Sequence, residues 1–154
     1  MIDFKHVGRP PNYQPTSERV PNTRPIGIKT PLELDKATNS IFKMHTEVRS
    51  QVADNLRNLV LTNWGERLGI FDFGANLRPL VAEYTSKTAF EEEAAMRIQA
   101  AVGKWMPFID LVGFDSRADY ESNVFVGIIR IFITYSIPVL NIADDQLEVI
   151  LAVM

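Results

Sequence analysis

The sequence predicts an α+β domain, with helices first and a small C-terminal antiparallel sheet after them. Three observations predict it. Apolar residues recur at helical spacing in two long segments, about 46–63 and 88–105. After Pro107 the period changes from 3.6 to 2. Val, Ile, Phe, Tyr and Thr dominate the closing third, as they do in strands. With 154 residues the chain is long enough for one domain with a real core. Its 46% hydrophobic and 23% charged residues exclude a largely disordered or collagen-like chain. There is no cysteine, which excludes disulfide scaffolds, thiolate nucleophiles and cysteine zinc sites. The net charge of −3 is no general footprint for nucleic acid or an anionic membrane.

The first 31 residues differ from the rest. They hold Pro10, Pro11, Pro15, Pro21, Pro25 and Pro31, six of the nine prolines. Lys5, Arg9, Arg19, Arg24 and Lys29 stand against Asp3 and Glu18, a local balance of +3 that leaves −6 for the remainder. Proline fixes φ and removes a backbone donor, so residues 1–31 read as an extended arm and 32–154 as a single α+β domain. The arm is either a mobile tail or a segment that orders against partners, with Tyr13, Val20, Ile26 and Ile28 to bury. Met1–Gly8 lacks the apolar run of a signal peptide.

Thr30-Pro31-Leu32-Glu33 fits a capping box with Pro at N1, opening a short helix that Asn39-Ser40 interrupts. Thr46 is placed to cap a longer helix to about Asn63, with Val48, Val52, Leu56, Leu59 and Val60 on one side. Gly65, Gly69 and Gly74 mark a turn-rich connector whose aromatics should pack. Leu77, Leu80 and Val81 suggest a short helix limited by Pro79. Thr88 and Glu91 form a second capping box for a helix to about Trp105, with Phe90, Ala94, Ile98, Ala101 and Trp105 on one face. Three strands are expected, at Phe108–Phe114, Asn123–Ile137 and Gln146–Val153. Connectors around Ser116-Arg117 and Asn141–Asp145 make them antiparallel neighbours. Ile129, Ile131, Ile133 and Tyr135 share one face of the long strand, and Leu147, Val149, Leu151 and Val153 align on the last. The apolar run Val124–Leu140 carries Arg130 and Pro138 and reads as a strand, not a membrane span.

The residues offer little for chemistry. Glu66 and Asp72 flank the connector and are the best candidates for a glycosidase pair, although a structural ion pair of Glu66 with Arg67 explains them more simply. Glu91, Glu92 and Glu93 point in different directions from a helix and make a solvated face. His6 and His45 are far apart and lack ligand spacing, so no metal site is expected. No phosphate-binding glycine loop, GxSxG elbow or cofactor motif is present. Nucleic-acid binding would rest on the arm's five scattered basic residues alone. The sheet is what remains. Three strands have two outer edges and apolar character on both faces, so the sheet is either covered within a monomer or completed by a partner strand.

The order of motifs resembles a known family. A helix ending Leu59-Val60-Leu61-Thr62, then Gly65-Glu66-Arg67, then Phe73-Gly74 with Leu77, is similar to the small lysozyme-like baseplate wedge subunit of contractile phage tails, the sheath initiator. Type VI secretion baseplates contain a related subunit. The resemblance spans about Ile26–Met154. The family has Glu-Pro-Arg where its last helix meets its first strand, a pair associated with contacts inside the wedge core. Here Trp105 and Pro107 match, while Met106 and Phe108 replace the charged pair. Membership implies a non-enzymatic virion component of the tail baseplate, assembled in the host cytoplasm in multiple copies with six-fold symmetry. Its partners would be other wedge proteins and the tail sheath protein, with no cofactor, nucleic acid or membrane. Gly65, Glu66, Arg67, Phe73, Gly74, Trp105 and Pro107 would hold the subunit in the wedge. The strands at 123–137 and 146–153 would present edges to sheath arms, through Ile129, Ile131, Ile133, Tyr135, Leu147, Val149, Leu151 and Val153. Removing Gln146–Met154 should then spare the wedge and abolish sheath nucleation. A lysozyme-like peptidoglycan hydrolase and a type VI baseplate subunit are the alternatives.

Overall fold

A computed structural model describes residues 24–35, 40–83, 86–121 and 124–152. Val153 and residues 1–23 of the expected arm lie outside them. A two-stranded ribbon of β1 (Gly27–Ile28) and β2 (Met44–His45) precedes three helices, α1 (Val48–Leu61), α2 (Arg78–Ala82) and α3 (Lys87–Trp105). Strands β3 (Asp110–Glu121), β4 (Val124–Ile137) and β5 (Ile142–Ala152) follow, with a 3₁₀ turn at Pro138–Leu140 before β5. The fold is α+β, as expected. Among the described residues no helix is long and apolar enough to cross a membrane.

One core joins the layers. Val52, Leu56, Leu59 and Val60 recur at i, i+4, i+7 and i+8, so α1 turns one apolar stripe into the core. Phe90, Ala94, Ile98, Ala101 and Val102 do the same for α3. Both stripes lie on one face of the sheet. The register pairs Ile133 with Leu147, Ile131 with Val149 and Ile129 with Leu151, so these six side chains form one apolar layer under the helices. The opposite face is mixed. Arg130 bonds Asp119 at 3.2 Å, and Arg117 lies over the half-buried Phe132 ring at 5.2 Å.

Strand order corrects one expectation. The sheet runs β3-β4-β5, so β4 is central and both its edges are used within the chain. Only β3 and β5 have an edge to offer. Their edges differ. The β3–β4 ladder is irregular between Leu111 and Gly113 and again between Ala118 and Tyr120. From Thr134/Gln146 to Ile128/Ala152 the β4–β5 ladder is unbroken, its one shift lying between Tyr135 and Ile137.

Other differences have local causes. Residues 30–33 do not start a helix. Lys43 N–H donates to the Glu33 carbonyl at 2.9 Å, Asp35 N–H to Ile41 at 3.1 Å, and Leu34 bridges Phe42, so ribbon pairing takes the backbone groups a helix would need. Helix α1 begins at Val48 behind Glu47, which makes no side-chain cap bond, not behind Thr46. Helix α3 is capped by Ser86, whose hydroxyl accepts from Ala89 N–H at 3.3 Å, so Thr88 lies inside it. It ends at Trp105, since the residue before Pro107 is pushed out of helical geometry. Ser116-Arg117 is strand, not connector. Ser116 faces the core at 2% exposure, and Glu91 accepts from its N–H at 2.8 Å and its hydroxyl at 2.9 Å. The satisfied serine keeps a core-facing position without ending the strand. Glu91 is therefore not part of a solvated face, and Glu93 is bonded to Arg97 at 2.7 Å.

Candidate functional site

The connector is built as a loop with a closed neck. Helix α1 leaves its last carbonyls without helical partners. Ala75 N–H donates to Leu59 at 3.1 Å, and Asn76 N–H to Thr62 at 3.3 Å. Asn63 Oδ1 accepts from Arg78 N–H at 3.2 Å. Residues 63–74 thus leave and return at one point, in the manner of an Ω-loop. The neck requires glycine at 74, where φ is 110° and a Cβ would collide with the Thr62 carbonyl. Inside the loop, Gly65 N–H donates to Phe71 at 2.7 Å and Trp64 Nε1 to the Gly74 carbonyl at 3.0 Å.

The structure brings part of the expected wedge set together. The Arg67 guanidinium lies 3.7 Å from the Phe73 ring centre, and Phe73 meets Trp105 with centroids 5.3 Å apart. Lys104 lies 5.0 Å from the Trp105 ring and pairs with Asp72. Glu66 turns away. Its carboxylate accepts from Asn63 N–H at 2.9 Å and Asn63 Nδ2 at 2.8 Å, with Arg78 at 4.0 Å. The expected Glu66–Arg67 ion pair is replaced by these contacts, because Arg67 stacks on Phe73. At the α3–β3 junction Met106 is buried in the core, whereas Phe108 is exposed.

The loop tip did not pack as its aromatics suggested. Leu68 is fully exposed, Phe71 is 68% exposed, and Trp64 and Ile70 are exposed beside them. Trp64 also lines a groove of about 400 Å³ with Met96, Arg97, Lys104 and Trp105. Sequence reasoning missed Trp64, although Asn63-Trp64-Gly65 just past a helix end is where a stop and a turn belong. The loop thus leaves four large apolar side chains, Trp64, Leu68, Ile70 and Phe71, exposed.

Glu66 and Asp72 each have a partner of their own. Hydrogen bonds from the Asn63 side chain and backbone hold Glu66 below the ordinary carboxylate range. The Lys104 ammonium does the same for Asp72. A glycosidase needs one carboxyl raised, so that it stays protonated and can protonate the leaving group. Both here are exposed and held ionised. Among the described residues no three His, Asp or Glu side chains gather as metal ligands.

All seven described residues of the expected strand-pairing set are in the core. Ile129, Ile131, Ile133, Tyr135, Leu147, Val149 and Leu151 face the helices and are buried. They position the sheet, and an incoming chain would meet the β5 backbone beside them. Outward from β5 point Gln146, Glu148, Ile150 and Ala152, all exposed. Arg49 of α1 fixes the start of β5 by bonding Asp145 through Nε at 3.0 Å and Nη2 at 2.8 Å.

No protein-family model matches the sequence, and no curated protein matches it. Solved structures that share its fold include two from contractile-tail-related proteins. One is a candidate tail lysozyme from Geobacter sulfurreducens, 18% identical, with a TM-score of 0.56 over 73% of this chain and 96% of that one. The other is a chain of the anti-feeding prophage baseplate, solved with six-fold symmetry. It is 18% identical, with a TM-score of 0.58 over 71% of this chain and 82% of that one. At that identity the finding is one of architecture: the chain folds as a tail-lysozyme-type protein and a baseplate component fold.

Proposed function

We propose that this chain is a non-enzymatic structural subunit of the baseplate of a contractile, phage-tail-like particle. It is a wedge subunit and sheath initiator, present in several copies about a six-fold axis. The observation that carries the assembly role is the β5 edge, which is regular from Gln146 to Ala152 and pairs with no strand other than β4 among the described residues. Strand addition to such an edge supplies main-chain hydrogen bonds and fixes register. The β3 edge is less suited, because its two irregularities and the Lys87–Asp115 pair interrupt a continuous ladder. The shared fold with a baseplate chain supports the location, and the exposed tip at Trp64, Leu68, Ile70 and Phe71 supports a contact with other wedge proteins. Assembly in the host cytoplasm and residence in the tail baseplate follow from this reading. The low-held Glu66 and Asp72 carboxyls favour it over a peptidoglycan hydrolase.

Removing Gln146–Met154 is a poor test, since it would strip Leu147, Val149 and Leu151 from the core. The absence of native cysteine gives a better one. Single cysteines at Gln146, Glu148 and Ile150 on β5, and at Val112 and Arg117 on β3, are introduced into assembled particles and treated with a short cross-linker. The β5 positions should join the sheath protein and the β3 positions should not. Sheathed particles in which no β5 position cross-links, or in which only β3 does, would refute the proposal.

A further inference from the structure

The β1–β2 ribbon is attached to the body differently from the other elements. The buried apolar core begins at Val52, and no described side chain of residues 24–45 belongs to it. Ile26, Ile28, Leu32, Leu34 and Ile41 are all exposed. A two-stranded ribbon is marginal in isolation, so something else must hold it. Phe42 and Met44 are half-buried, and one carboxylate supplies the polar anchor. Asp54 is buried on α1. Its Oδ2 accepts from Thr30 N–H at 2.9 Å and lies 2.7 Å from Nε2 of the buried His45. Its Oδ1 accepts from Arg57 Nη1 at 2.7 Å. Thr30 lies just past β1 and His45 ends β2, so both strands of the ribbon terminate on the same side chain. One turn away, the Gln51 carboxamide fills the space under Gly27. Lys29 and Glu47 are the other charged groups lining the cleft over Asp54.

A buried charge stripped of its partners is costly, whereas a fully exposed one is not. Partial loosening of the ribbon would leave Asp54 buried and under-bonded, so the cluster favours two states, docked or fully released. We propose that the β1–β2 ribbon is a strap latched to α1 by Asp54, which detaches and re-docks as a unit while the helices and the three-stranded sheet stay folded. Release would hydrate Asp54 and carry the exposed isoleucines and leucines away from the body. Burial pushes the Asp54 carboxyl up, but the Thr30 and His45 hydrogen bonds outweigh it and hold the group below its ordinary value. The latch is therefore full above about pH 4 and weakens as pH falls through that lowered value.

Native-state hydrogen exchange of the full chain at neutral pH, in low and increasing denaturant, tests this. The amides of Ile26, Lys29, Thr30 and Lys43 should exchange at least tenfold faster than those of Leu56–Val60 and Ile129–Ile133, with a weaker dependence on denaturant. In Asp54→Ala the ribbon amides should speed up at least tenfold further, while the α1 and β4 amides stay within about twofold. The proposal is overturned if ribbon and β4 amides share one rate and one denaturant slope in the native protein. It is overturned equally if Asp54→Ala accelerates all three elements together or leaves the ribbon unchanged. Should the variant fail to fold, the native protein's rates and slopes decide alone.

Discussion

Tyr135 reports whether the inner face of the sheet is sealed. Its side chain sits in β4 at 1% exposure, and its hydroxyl donates to Asp145 Oδ2 at 3.1 Å. Burial, and then the Asp145 charge, push the phenol from 10.0 up to about 12. Tyr135→Phe removes one hydrogen bond and leaves Asp145 on Arg49, so at pH 8 it should cost about 1 kcal/mol. The pH dependence is larger. A group whose folded value lies above its unfolded value contributes fully below the unfolded value, near pH 10, and loses that contribution as pH rises through the folded one. At about 1.4 kcal/mol per unit, the shift amounts to about 3 kcal/mol in the limit and about 2 kcal/mol by pH 11.5. The phenylalanine variant loses nothing by this route. Wild type should start about 1 kcal/mol more stable at pH 8 and end about 1 kcal/mol less stable at pH 11.5, with the order reversing between. Urea unfolding of both proteins across that range measures the difference, in which the lysines common to both cancel. A difference that stays constant from pH 8 to 11.5 would refute the burial of this hydroxyl between the sheet and α1.

Gly74→Ala should destabilise by about 2 kcal/mol or more, since it combines a positive φ with a collision at the Thr62 carbonyl; thermal unfolding measures it. Its effect should centre on the connector, so Trp64 fluorescence should shift before the helical signal does. Glu91→Ala strands the Ser116 N–H and hydroxyl in the core and should cost about 2–4 kcal/mol, while Glu91→Gln, which keeps an acceptor, should recover most of it. On the acid side, the Arg49 hydrogen bonds hold the Asp145 carboxyl below the ordinary range. That stabilisation is full above about pH 4 and is lost as pH falls through the lowered value, so Asp145→Asn should flatten the unfolding curve below pH 4.

The parts of the fold legible in the sequence are those fixed by one element's own periodicity. Helix α3 announces itself through Phe90, Ala94, Ile98 and Ala101, and β4 through its alternating isoleucines. What was not legible depended on a choice between neighbouring caps or on a distant partner. Ser86 and Thr88 are both competent caps, and only the structure selects Ser86. Ser116-Arg117 reads as a break in an apolar run until Glu91, on another element, is seen to satisfy the serine. Thr30–Glu33 has a good local helix signal, and it loses to pairing with residues 41–45, whose contribution no local pattern contains.

The same distinction separates the two halves of the candidate site. In the connector, the glycine spacing marks a loop but not which of its aromatics pack: Phe73 lies tilted against Trp105 while Phe71 stays in water. In the sheet, alternation shows which side chains share a face and says nothing of strand order, so it cannot tell a central strand from an edge. The core position of Leu147, Val149 and Leu151 then bears on what would add to β5. A new strand extends both faces of the sheet, and on the inner face its alternate side chains would land beside these three, next to α1, which already packs on β5. Under the proposed function, the incoming arm should therefore carry apolar residues at every second position. A cross-linked arm with charged residues at those positions would place the contact on the outer face instead.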